Sequence, residues 1–96
     1  MIKLANAQEL GKLYHETFTA PNKKILDRIK IGDYVKVATP EQVRFWVFVT
    51  DIKGNEIQAI MAYNQPDIGG LKYRDPITVN KDNVYDIHVR VNTAPQ

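Results

Sequence analysis

Cysteine and serine do not occur in this 96-residue chain, and histidine occurs only twice. Without cysteine there is neither a disulfide framework nor a thiolate zinc site. Without serine the commonest hydroxyl nucleophile is gone, and His15-Glu16 lacks the second histidine four residues on that a metalloprotease pair needs. Gly69-Gly70 is not followed by the Lys-Ser/Thr and helix of a phosphate loop. Asp67, Asp75, Asp82 and Asp86 match no calcium loop in their spacing, and turn chemistry accounts for Asp67 and Asp82. Long apolar runs are missing too. The start, MIKLANAQEL, holds neither a signal-peptide core nor a membrane span. The expectation is a cytoplasmic chain that is not an enzyme, with no catalytic residues, cofactor, metal, small-molecule substrate or membrane.

What is present is ordinary for a globular domain: 44% hydrophobic and 25% charged residues. The length allows one domain and one core. Net charge is +2, but Lys and Arg exceed Asp and Glu only in residues 1–40. A basic N-terminal third of that strength is a solvated surface first and a hint of nucleic acid second.

The spacing of Leu10, Leu13, Tyr14, Thr17 and Phe18 predicts a helix over Asn6 to Ala20, with Asn6 as its N-cap and a strand for YHETFT as the competitor. Pro21-Asn22 interrupts the chain, and NKKILDRIK follows as a short helix with Ile25, Leu26 and Ile29 on its apolar face. From Gly32-Asp33 onward the pattern turns to strands: YVKVA, then VRFWVFVTDI, a tight KGN hairpin, EIQAIMAY, PITV and VYDIHVRV. Residues 64–75 read as one long loop, NKDN as a tight turn and NTAPQ as a disordered tail. No internal repeat is evident. Five short strands with short connections predict a mainly β domain, a small bent barrel over residues 22–91 with its short leading helix, behind a helical extension over residues 1–21 and ahead of a tail at 92–96.

In QVRFWVFVTDI, Val43, Phe45, Val47 and Val49 share one strand face and suffice for a core. The opposite face carries Arg44, Trp46 and Phe48, with Ile60 and either Ala62 or Gln58 on the facing strand. Two readings stand. The N-terminal helix covers this face and buries Trp46 against Leu10, Leu13, Tyr14 and Phe18, or the face is an interface for a protein partner or a second copy.

IKIGDYVKV, RFWVFVTDIKGNEI, GLKYRDPITV and NVYDI, in that order and spacing, resemble a family of small bacterial and phage proteins known only as a domain of unknown function. The resemblance spans about residues 18–88 and is most specific at Arg44-Phe45-Trp46-Val47 followed by Val49-Thr50. It implies a five-stranded SH3-like barrel, with no established activity, and a bacterial cytoplasm or, for a phage protein, that of the host. This chain departs from the pattern twice: Phe48 stands where a charged residue is usual, and Arg74 stands where glycine is usual.

The favoured reading is a protein-interaction module, in a phage setting an accessory protein that binds a host protein. Arg44, Trp46, Phe48 and Ile60 would carry contacts, together with Tyr73 and Arg74 of the long loop. The alternative is a weak, sequence-tolerant nucleic-acid binder, with Lys23, Lys24, Arg28, Lys30 and Lys36 on phosphates and Tyr34 stacking on bases.

Overall fold

Val35 and Val37 point one way from the strand Tyr34–Ala38 (β1), and Tyr34 and Lys36 point the other, the period of two that buries one face. The computed structural model describes residues 3–14, 19–63 and 71–88. Within them four more strands follow: Arg44–Lys53 (β2), Glu56–Met61 (β3), Pro76–Asn80 (β4) and Asp86–His88 (β5). All paired neighbours are antiparallel, in the order β4-β3-β2-β1-β5. The protein is therefore mainly β, a single five-stranded sheet with two short helices. β4 and β5 are its edges and do not pair with each other.

β2 and β3 are joined by Gly54-Asn55, with Lys53 facing Glu56. Gly54 takes φ +61°, the first position of a type II′ hairpin turn. Further along, Val49 faces Ala59 but the next pair is Asp51 with Gln58, so Thr50 is the extra residue of a bulge. The bulge resets the alternation, and Ile52 rather than Asp51 comes to lie against the core opposite Ile57.

Two of the remaining turns are built alike, a likeness hidden in the sequence because glycine in one is arginine in the other. In Lys30-Ile31-Gly32-Asp33 and Lys72-Tyr73-Arg74-Asp75 the aspartate carboxylate accepts the lysine N–H, at 2.8 and 2.9 Å. The aspartate N–H returns to the lysine carbonyl at 3.0 and 2.9 Å. The third residue of each has positive φ and donates its N–H to a strand carbonyl, Gly32 to Val49 and Arg74 to Met61, both at 2.9 Å. Each turn then launches a strand of the same pattern, Val35 and Val37 inward in β1, Ile77 and Val79 inward in β4.

Phe45, Val47 and Val49 of β2 form the buried centre with Val35, Val37, Ile57, Ala59, Met61, Ile77 and Val79. Leu26 of Lys23–Leu26 (α2), Ile29 from the turn after it and Val84 belong to the same buried cluster. Asn22 caps α2 by accepting the Ile25 N–H at 3.0 Å. Between β4 and β5 lies a 3₁₀ turn, Lys81–Asn83, in which Asn80 and Asn83 cap each other reciprocally.

The first helix covers Ala7–Leu13 (α1), shorter than the Asn6 to Ala20 expected. Of YHETFT, the competing strand, His15 to Phe18 lie outside the described residues. Asn6 does cap α1, accepting the Glu9 N–H at 3.0 Å. Gly11 is a close-approach residue: a Cβ there would meet the Cβ of Ala20 at 3.0 Å. α1 packs through a fully buried Ala7 onto Ala38 and Tyr85, with Ala5 and Leu10 beside them. The Ala5 N–H extends the sheet to the Ala38 carbonyl at 2.8 Å, and Asn83 donates to the Ala5 carbonyl at 3.0 Å. The N-terminal segment is thus integral to the fold.

Candidate interaction surface on the outer sheet face

Register decides what the outer face presents. His88 of β5, Tyr34 of β1, Phe48 of β2, Ile60 of β3 and Pro76 of β4 stand in one row across all five strands. The next row on one side is Asp86, Lys36 and Trp46, continued by Ala62, whose N–H reaches the Trp46 carbonyl at 3.4 Å. Beyond it lie Ala38 and Arg44, at the corner occupied by α1. The row on the other side is polar: Asp51, Gln58 and Thr78, with Thr78 donating to Gln58 at 3.2 Å. An apolar band therefore runs between a polar margin and the α1 corner.

The expected cover for Trp46 is not provided by the described part of the N-terminal helix. α1 packs on Ala38 and Tyr85, and Leu13 and Tyr14 at its end are 71% and 59% exposed. Phe18 lies outside the described residues. Trp46, Phe48, Tyr34 and Ile60 are half-buried.

The rings are fixed edge to face. Tyr34 and Phe48 stand 5.3 Å apart at 68°, and Trp46 and His88 6.4 Å apart at 79°. The Lys36 ammonium lies 5.1 Å from the Trp46 ring centroid, and the Arg44 guanidinium 5.3 Å from that of Tyr85. Where β3 ends, the Trp46 N–H finds the Tyr63 hydroxyl at 3.2 Å in place of a ladder carbonyl. Tyr63 thereby forms one wall of an open groove of about 480 Å³, lined by Tyr34, Trp46, Ala62, Tyr63 and His88.

This arrangement redistributes the residues singled out from sequence. Arg44, Trp46, Phe48 and Ile60 do share one face, and the register selects Ala62 as their neighbour while Gln58 belongs to the polar row. Tyr34 and Lys36, grouped with the basic residues, stand on that same aromatic face. Lys23 and Lys24 are in α2, and Arg28 and Lys30 follow in the segment leading to the Lys30–Asp33 turn, away from the outer rows. Lys23 bonds Asp27 at 3.0 Å, and Lys81 reaches the other oxygen of Asp27 at 3.3 Å. Tyr73 and Arg74 are exposed in the turn before β4 and do not line the groove.

His88 and Tyr63 were not singled out as site residues. The alternation of the last strand placed His88 with Asp86, but only the pairing of β1 with β5 brings it against Trp46. Among the described residues no three His, Asp or Glu side chains gather as a metal site, and no helix is long and apolar enough to cross a membrane. No family model, no curated protein and no solved structure matches the chain.

Proposed function

We propose that the protein is a non-enzymatic interaction module that docks another protein on the outer face of its sheet. The observation that carries this reading is the row His88, Tyr34, Phe48, Ile60 and Pro76, with Trp46 beside it, an apolar surface across five strands. Aromatic and aliphatic side chains with an arginine at the margin are what partner-binding surfaces concentrate. A nucleic-acid platform draws less support. It needs cations along the path of the stacked bases, and four of the six residues proposed for it lie off the aromatic face.

We infer also that the sheet curls as an SH3-like barrel of the small bacterial and phage family it resembles, which in a phage would make the partner a host protein. Support comes from the meander order, the bulge in β2 and the 3₁₀ turn before β5. The left-handed Arg74, at a position where the family pattern tends to have glycine, fits as well. A flat sheet in solution would remove the barrel reading.

The functional test compares proteins retained by the immobilised full chain, by Phe48→Asp and by a Lys23→Glu/Lys24→Glu variant, followed by reconstitution with the purified partner. The reading expects a partner whose binding resists salt, survives the lysine changes and weakens about thirtyfold or more with Phe48→Asp. A nucleic-acid ligand released steeply by salt and indifferent to Phe48→Asp would overturn it.

A further inference from the structure

Resting on that reading, the groove beside Trp46 bears on what the partner carries: we propose that it receives a trimethylated lysine side chain, a quaternary ammonium. Tyr34, Trp46, Tyr63 and His88 bring four rings around Ala62, and none of these five residues carries a carboxylate, an amide or an ammonium. Trp46 and His88 stand at 79°, a corner rather than a stack, so a guest between them meets more than one ring. The Tyr63 hydroxyl is already engaged by the Trp46 N–H at 3.2 Å. Such a space offers ring surface and few acceptors. An ordinary ammonium entering it would leave N–H donors unsatisfied, at a cost. A quaternary ammonium keeps the charge, has no N–H to satisfy and presents only methyl groups, and aromatic walls hold it by cation–π attraction. The volume, about 480 Å³, is in the range of small-ligand sites and leaves room for the head group with its stem.

Trp46 already takes a cation. The Lys36 ammonium lies 5.1 Å from its ring centroid, yet Lys36 is not among the residues that line the groove, so it reaches the ring from outside. Asp86 stands directly opposite Lys36, two residues from His88 on the same face of β5, and its carboxylate offsets the lysine charge at the rim. Arg44 lies a row farther off, over Tyr85. The protein source of the ammonium follows from continuity. Tyr34 and Trp46 belong both to the groove and to the apolar band, so a side chain in the groove hangs from a chain lying on the docking face.

The test titrates the full chain with acetyl-Ala-Lys-Ala-amide in three forms, read by Trp46 emission and amide-resolved NMR. The lysine is trimethylated, unmodified, or replaced by the neutral isostere with carbon in place of the quaternary nitrogen. Free choline is the fourth probe. The trimethylated peptide is expected to bind about tenfold more tightly than the isostere, the part of the attraction that needs the charge, and more tightly than the unmodified peptide. Its shifts should centre on Trp46, Ala62 and His88. In Lys36→Gln it should bind about two- to fivefold more tightly still, because a like charge beside the ring is gone. The isostere should bind that variant as it binds the wild type, which also shows that the variant is folded. Equal affinity for the trimethylated peptide and the isostere would make the groove an apolar site without charge preference. Equal affinity for the unmodified peptide would deny any role to the methyl groups, and choline binding as tightly as the peptide would make this a small-molecule site. Each of these outcomes, or binding of none, overturns the proposal. Binding of none, with the native partner still lost in Phe48→Asp, removes this inference and leaves the docking surface standing.

Discussion

Gly32 and Arg74 occupy the same position of the same turn, at φ +99° and +74°, each donating its N–H to a strand carbonyl at 2.9 Å. For glycine that conformation is free. For arginine the left-handed region costs roughly 1–2 kcal/mol. Replacing Arg74 by glycine removes that cost but loosens the unfolded chain, which takes back roughly 0.4–1 kcal/mol. Arg74→Gly is therefore expected to stabilise the protein by about 0.5–1 kcal/mol, and Gly32→Ala to destabilise it by about 1 kcal/mol or more. Urea midpoints of the two variants check both signs. A destabilising Arg74→Gly would mean that the arginine side chain contributes more than its backbone costs.

Much of the fold was legible because binary patterning and turn chemistry are local. YVKVA is β1 to the residue, the strand around Trp46 is displaced by one residue at each end, and the KGN turn and NKDN turn fall where expected. What could not be read is whatever depends on pairing. Nothing in VYDIHVRV says that His88 will face Tyr34 across a β1–β5 ladder, so the His88 wall of the groove was invisible. The role of Gly11 depends on tertiary structure as well, since it looks only like a weak helix former until Ala20 is seen packed on it. The paired KxGD and KxRD turns were present in the sequence but masked by the change from glycine to arginine.

The two faces of β2 should respond differently to truncation. Phe45 is 1% exposed at the centre of the core, and Phe45→Ala is expected to cost about 3–5 kcal/mol. Phe48 is half-buried and makes an edge contact with Tyr34, so Phe48→Ala should cost about 1 kcal/mol. Denaturant unfolding of both variants makes the comparison. A core-sized loss at Phe48 would identify the outer face as structural and weaken its assignment as a docking surface.

Asp27 sets an acid-side dependence. Hydrogen bonds from Lys23 first and Lys81 second hold its carboxyl below the ordinary value of 3.8. A carboxylate depressed on folding contributes stability above its unfolded value and loses it as pH falls through the folded one. The difference in urea midpoint between the wild type and Asp27→Asn should therefore be present near neutral pH and fade below about pH 3.8. It should shrink with added salt as well, because the group is at the surface. A difference that persists unchanged in acid would assign the effect to side-chain packing.

Tyr63 holds the groove through a single bond, from the Trp46 N–H to its hydroxyl at 3.2 Å. Tyr63→Phe keeps the ring as a wall and removes only the acceptor. The expected cost is about 0.5–1.5 kcal/mol, and amide exchange at Trp46 should accelerate up to about tenfold, with neighbouring amides of β2 little changed. Tyr63→Ala removes the wall too, so partner binding on this face should fall further than in Tyr63→Phe at a similar exchange rate. If Trp46 exchange is the same in all three proteins, the hydroxyl is not its acceptor. The groove would then be shaped by packing of the rings alone, and its affinity should follow ring removal without regard to the hydroxyl.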